Sequence, residues 1–447
     1  MRTQTFCDGI RRRDLLRVGT AGLFGIGLPL SQILERQTRA SESKATTPPA
    51  RASALITIFL HGGLSTIDTI DMKPNAPAEF RGEFNPIATN VPGIEVCEHL
   101  PRVAQQLDKF SLIRSFTHHD SNHGAADHYM LTGYYPRPGF NGSLKPNNHF
   151  PAHGSVIAKK LGPRGSVPAY VCLPRMHNSC GPAYLGSTAA PFVVEADPNS
   201  PSFSVPDLMP PLTIEPTRLD ARTELLGKID RYRRAAEIRA NSGAQAMSVF
   251  QEKAFELMTS RSAQAAFDIH QESDSLRDEY GRTSLGQSCL MARRLVEAGV
   301  RSVTVDHSNW DTHYNNFEVL RKDLLPHLDA ALAALFRDLA DRGLLENTLV
   351  AIYGEFGRTP RINKDAGRDH WGPSNTIIVG GGGIVGGRVI GASNERAEKP
   401  ASDPLGPEDL SATLFHLLGI DPDEEFYTPE GRPIKIANNG RLISDLL

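Results

Sequence analysis

Cysteine is scarce in this chain. Five stand in 447 residues, Cys7, Cys97, Cys172, Cys180 and Cys289, and no CxxC pair occurs among them. That excludes a cysteine–zinc framework and a disulfide-dense scaffold. Cys172 and Cys180 flank a loop containing Pro and Gly and could pair in an oxidising compartment, although nothing in their spacing requires it. An excess of charge is lacking too. Forty-eight Lys and Arg face 51 Asp and Glu, a formal net charge of −3, so there is no electrostatic case for a nucleic-acid partner. Past the N-terminal segment no apolar run is long enough to span a bilayer. Internal repeats and coiled-coil heptads are absent. The glycine run 380–383 lacks the GK[ST] continuation of a phosphate-cradling loop and reads as a tight hairpin.

What remains is ordinary globular composition, 40% hydrophobic and 22% charged. The length suits two or three domains, or one large α/β domain with insertions. The N-terminus carries an address. Arg12-Arg13-Asp14-Leu15-Leu16-Arg17 fits the twin-arginine export pattern, and a short, weakly apolar segment with Pro29 follows it. The expected organisation is a signal peptide over 1–40, a Ser/Thr/Pro linker over 41–51, and a domain over 52–447 with loop and helical insertions at about 141–260. Export to the periplasm or outside the cell follows, with no stable membrane span after cleavage.

Several short apolar runs end abruptly in polar clusters. Residues 55–60 (LITIFL) lead into His61-Gly62-Gly63, and 110–116 (FSLIRSF) lead into a segment holding His118, His119, His123 and His128. Residues 302–305 lead into Asp306-His307-Ser308-Asn309-Trp310-Asp311-Thr312-His313. Residues 349–353 lead into Glu355, Arg358, Arg361, Arg368, Asp369 and His370. Apolar runs of this length read as strands buried on both faces of a parallel sheet, with helices between them at 286–298 and 328–339. Right-handed crossovers then put the polar tails on the carboxyl edge, where ligands bind in open α/β sheets. If the segment after 116 is helical, His119 and His123, or His123 and Asp127, share a face. Carboxylate, imidazole and guanidinium together suit a metal ion and an oxyanion. Each cluster also has a plainer reading: a structural ion-pair loop at Glu355 and Arg358, a hydrogen-bonded histidine at His61, a surface turn at the histidine cluster. Helical patterns at 219–238 and 247–258 cover the sheet or form an insertion.

The chain resembles the alkaline phosphatase/sulfatase superfamily and, more closely, an exported bacterial sulfatase-like family whose members are mostly of unknown function. The resemblance rests on HGGLSTIDTIDMKP (61–74), RSFTHHDSNHGAADHYMLTG (114–133), DEYGRTSLGQSCLMARRLVEAGV (278–300), NWDTHYNNF (309–317), TLVAIYGEFGRTPRI (348–362), GRDHW (367–371) and EDLSATLFHLLGI (408–420). It implies a three-layer α/β/α sandwich around a mostly parallel sheet, alkaline phosphatase-like. Asp311 and His313 resemble the superfamily's Asp/His metal pair, His370 its late His ligand, and Glu355 an acidic ligand at the end of its strand; Asp306 competes for the carboxylate role. His61 stands where the first strand should end in a metal-binding Asp, and Phe356 where a His or Asn belongs. Counting ten residues back from Gly133 places His123 at the nucleophile position, with Thr117 and Ser121 the nearby hydroxyls.

The expectation is an exported metal-dependent hydrolase of a sulfate or phosphate ester, small or polymeric. A divalent ion (Zn, Ca or Mg) would be held by Asp311, His313, Glu355 and His370, with His61 and Asp306 as further candidates. Arg358 or Arg368 would hold the oxyanion, and His123 would be nucleophile or base. The alternative is a catalytically degenerate relative used in periplasmic binding or assembly.

Overall fold

The computed structural model describes residues 49–208 and 260–447. The expected signal at 1–40, most of the linker, and the helical patterns at 219–238 and 247–258 lie outside them. Among the described residues no helix is long and apolar enough to cross a membrane.

Eight segments form one sheet: β1 (Ala54–Leu60), β2 (Phe110–Phe116), β3 (Tyr170–Leu173), β4 (Phe192–Val193), β5 (Ser302–His307), β6 (Thr348–Tyr353), β7 (Asn375–Gly380) and β8 (Val389–Ile390). Their order across the sheet is β8-β2-β7-β6-β1-β5-β3-β4. Every pairing is parallel except the two made by β7. Central β1 is buried along its whole length, as an uninterrupted apolar run must be to stay out of water.

Alternation along β1 feeds two cores. Ile56, Ile58 and Leu60 pack with Leu290 of α3 (Ser284–Glu297) and with Leu328, Leu332 and Leu335 of α4 (Leu325–Asp341). Leu55 and Phe59 pack on the other face with Met130 of α1 (His123–Thr132), Ile157 of α2 (His153–Leu161) and Leu414 of α5 (Pro407–Leu417). The result is the expected three-layer sandwich with a mostly parallel sheet.

The hairpin expected at 380–383 is not formed. β7 lies antiparallel between β2 and β6, and the chain re-enters the sheet as β8 beside β2. The glycines serve close passage instead: a Cβ on Gly381, where φ is +65°, would meet Thr348 O at 2.2 Å.

Leu60 pairs with His307, and Phe59 pairs with both Asp306 and Tyr353, so β1, β5 and β6 end at one level. β2 and β3 end at the same edge, and antiparallel β7 begins there. Six chain segments therefore converge on one rim.

Candidate metal centre

Two loops bring the strongest ligands together. Past β5, buried Trp310 donates its indole N–H to His307 Nδ1 at 3.0 Å and pins the turn that presents Asp311 and His313. Past β6, the strands Gly357–Arg358 and His370–Trp371 pair as a small antiparallel ribbon that carries His370 back to the rim. Gly367 lets this ribbon pass under the β5 loop, since a Cβ there would fall 1.8 Å from His313 O.

At their meeting point Asp311 Oδ1 lies 3.1 Å from His313 Nε2 and 2.9 Å from His370 Nε2. The two Nε2 atoms are themselves 2.9 Å apart. The other nitrogen of each ring fixes its hydrogen. His313 Nδ1 donates to Asp369 Oδ1 at 2.6 Å, and His370 Nδ1 donates to the Ser121 carbonyl at 2.9 Å, both groups that only accept. With Nδ1 as donor in each ring, the two Nε2 atoms face each other and a carboxylate oxygen. A cation among the three atoms satisfies them all, and carboxylate- or carbonyl-bound histidines are the usual way proteins aim metal ligands.

His123 opens α1 beside this group. Its Nδ1 donates to Glu355 Oε1 at 2.6 Å, and its Nε2 lies 3.3 Å from Asp311 Oδ2. Hydrogen bonds to Asp311 and then Glu355 outweigh burial and push the imidazole up to about 10. Glu355 is fully buried, and both its oxygens accept the Gly62 N–H, at 2.9 and 3.0 Å. Only glycine fits at 62, where φ is +114° and a Cβ would meet Asp311 N at 2.3 Å. Burial pushes Glu355 up, but the bond from His123 and the nearby His61 hold it below the usual carboxylate range. Burial likewise opposes ionisation of Asp311, and bonds from His123, His370 and Arg358 overcome it.

Both arginine side chains expected to hold an oxyanion are buried and paired within the protein. Arg358 is buried, and its guanidinium bonds Asp311 Oδ1 at 2.5 Å and the carbonyls of Gly62, Gly63, Trp310 and Arg368. It fixes the carboxylate that faces the two histidines. Arg368 is a correction: fully buried, it forms a two-bond pair with Asp68 at 2.7 Å and bonds the carbonyls of Thr359, Pro360 and Phe80, with nothing left for a ligand. Asp306 is another. Its Oδ2 accepts from Arg175 Nε at 2.7 Å, and it belongs to none of the ligand groups among the described residues.

His61 does not join Asp311. Its ligand atoms lie within 4.8 Å of those of His123 and Glu355, and within the same distance of those of Asp127 and His177. Glu355 reaches the Asp311 group through His123 rather than as a fourth member. Two other histidines of the cluster are structural: His118 donates to Glu355 O at 2.6 Å, and His128 is wholly buried in a backbone network. Ser121 Oγ accepts the Gly372 N–H and Thr117 Oγ1 donates to Pro373 O, so both nearby hydroxyls bond the backbone. Cys172 and Cys180 are free, buried thiols.

Three residues stood outside the expected ligand set, although the sequence already placed Asp127 on the face of His123 and Asp369 beside His370. Asp369 adjoins His370 and orients His313. Asp127 follows His123 by one helical turn, a spacing visible in the sequence. His177 comes just after β3, the same strand-end signal that marks the other ligands.

Fold and rim together define an α/β/α sandwich with a histidine–carboxylate cluster at the carboxyl edge of its sheet. Residues 52–447 match the family described as "Protein of unknown function (DUF1501)", and the chain belongs to it. No curated protein matches. Similar solved structures include a protein in the alkaline phosphatase superfamily from Vibrio parahaemolyticus, with 10% identity over 90% of this chain and 72% of that one and a TM-score of 0.43. A phosphonate monoester hydrolase from Silicibacter pomeroyi is 11% identical over 88% and 76%, with a TM-score of 0.40. The PsFucS1 sulfatase from Pseudoalteromonas sp. is 13% identical over 87% and 70%, with a TM-score of 0.38. At such distances they assign this chain neither a superfamily nor a role for any residue.

Proposed function

We propose that the chain is an exported, metal-dependent hydrolase of a sulfate or phosphate ester. The observation that carries the reading is the convergence of Asp311 Oδ1, His313 Nε2 and His370 Nε2 within 3.1 Å of one another, with both ring hydrogens placed on the far nitrogens. One carboxylate and two imidazoles suit Zn²⁺ or a similar first-row ion better than Ca²⁺ or Mg²⁺, which prefer all-oxygen shells. Such an ion, when bound, supplies Lewis acidity at an ester oxygen.

The chain's own residues do the rest. Glu355, held by the Gly62 N–H, accepts the Nδ1 hydrogen of His123, and Asp311 Oδ2 faces its Nε2. His123, protonated at rest between these two carboxylates, serves as nucleophile or base once its Nε2 hydrogen has passed to Asp311 or solvent. Arg358 holds Asp311 in place. Arg175, just past β3, is half-exposed, its Nε is anchored on Asp306, and its outer nitrogens have no partner among the described residues; it takes the anion-binding role expected of Arg358 or Arg368. The substrate is a small or polymeric sulfated or phosphorylated molecule, and the RRDLLR segment directs export by the twin-arginine route.

One observation favours the degenerate alternative. Phe356 stacks on His370 at 4.4 Å, an apolar wall at the position where the resemblance implies a His or Asn. A panel of aryl sulfates and phosphates decides between them. His123→Ala should lower turnover by at least ~10²-fold while metal content stays at the wild-type level. A wild type that binds metal yet hydrolyses neither class would favour the binding protein.

A further inference from the structure

His313 and His370 come from different loops, and one side chain ties those loops together. Asn363 lies in the turn between the paired strands Gly357–Arg358 and His370–Trp371. Its Nδ2 donates to the His313 carbonyl at 3.0 Å and to Asp369 Oδ1 at 3.3 Å. That carboxylate oxygen is the one that takes the His313 Nδ1 hydrogen. The carboxamide therefore holds both the backbone of His313 and the group that aims its ring. On its other side, Oδ1 accepts the Asp365 and Gly367 N–H groups, each at 2.9 Å. An asparagine side chain has two donor hydrogens and two acceptor lone pairs, and here each meets its complement. Turning the amide over would set N–H against N–H and oxygen against oxygen, so the network fixes its orientation.

Backbone bonds alone do not achieve this. Arg368 N–H reaches Thr312 O at 3.1 Å, Asn315 N–H reaches Asp365 O at 3.1 Å, and Asn316 N–H reaches Ala366 O at 2.9 Å, fastening the two loops on either side of His313. None of the three touches its carbonyl or its ring. The Asp369 side chain is exposed, and among the described residues its carboxylate has hydrogen bonds from His313 and Asn363 alone. An exposed carboxylate with a single partner samples other rotamers, and a second bond selects the one that meets the imidazole.

We propose that Asn363 is a positioning residue for the Asp311 group: it keeps Asp369 on His313 and so holds His313 Nε2 toward His370 and Asp311. Its part rests on the ion proposed above for that group.

Metal affinity and cobalt absorption test this apart from turnover. Full chain stripped of metal is titrated with Zn²⁺ against a chromophoric chelator, and separately with Co²⁺, whose visible absorption follows its coordination geometry. Asn363→Ser keeps an oxygen for the turn but no donor that reaches His313 or Asp369. It should bind Zn²⁺ roughly 10-fold more weakly, as losses of outer partners do, and should shift the cobalt spectrum. Asp369→Ala should do the same, and the double variant should fall well short of the product of the two losses, since both act on one ring. Asn363→Asp keeps both turn bonds and covers failure of the serine variant to fold; with a carboxylate facing Asp369, it too should shift the cobalt spectrum. Wild-type zinc affinity with an unchanged cobalt spectrum in Asn363→Ser would overturn the proposal and leave the ion standing, as would losses that multiply in full. A wild type that takes up neither ion would overturn the metal reading and this role with it.

Discussion

His313 Nδ1 and Asp369 Oδ1 are 2.6 Å apart, and that bond decides which way the other ring nitrogen faces. Because a carboxylate only accepts, the hydrogen stays on Nδ1 and Nε2 is left bare toward His370 and Asp311. Asp369 is itself well exposed, so its value lies in aiming the ring rather than in stability.

Removing that carboxylate should loosen the metal without unfolding the chain. Asp369→Ala is expected to weaken the Asp311-centred ion by roughly 10–100-fold, with excess metal restoring occupancy. Competition with a chromophoric chelator reads the affinity, and an unchanged value would mean that Asp369 does not orient His313.

Arg368 should behave in the opposite way. Arg368→Met leaves Asp68 buried without its guanidinium, a change that costs about 3–5 kcal/mol when one partner of a buried pair is removed. Denaturant unfolding should show that loss, while turnover per folded molecule stays at the wild-type level. Full stability with lost turnover would return Arg368 to the site.

Acid should destabilise the chain through the buried ring of His128. Burial lowers His128 from 6.5 to about 4, where its Nδ1 donates to Tyr134 O and its Nε2 accepts the His149 and Phe150 N–H groups. The unfolded chain binds a proton near 6.5 and the folded chain does not. Stability is therefore full above 6.5 and falls as pH drops toward 4, by about 3 kcal/mol for this group. Thermal melts of metal-depleted protein across that window check it, and His128→Gln should flatten the slope. An equal slope in the variant would assign the loss to other groups.

Export is a separate expectation. With Arg12→Lys and Arg13→Lys together, the protein should remain in the cytoplasm, as fractionation and blotting would show; undiminished export would discard the twin-arginine reading.

Most of the sheet was legible because buried parallel strands must be apolar on both faces, which makes 55–60 or 349–353 hard to mistake. The rim followed from that, and Asp311, His313 and His370 do meet. Arg368 was misplaced because a guanidinium near a ligand looks the same in sequence whether it holds an anion or a distant buried partner. Its partner, Asp68, lies 300 positions away, a pairing set only by the fold. The hairpin expected at 380–383 failed for a related reason: a glycine run permits a turn and equally permits one backbone to slide close under another. Asp127 was placed on the face of His123 but not paired with His177, because the helix and loop that bring the two together follow different strands.

The central claim meets its most direct test in the metal dependence of hydrolysis. Purified full chain is assayed on generic aryl sulfates and phosphates as isolated, after chelation, and after Zn²⁺ or Mn²⁺ is returned. Hydrolysis above background in the isolated protein, abolished by the chelator and restored by the ion, is the predicted result. A metal-loaded chain that hydrolyses no ester, or one whose activity survives complete removal of metal, would contradict it.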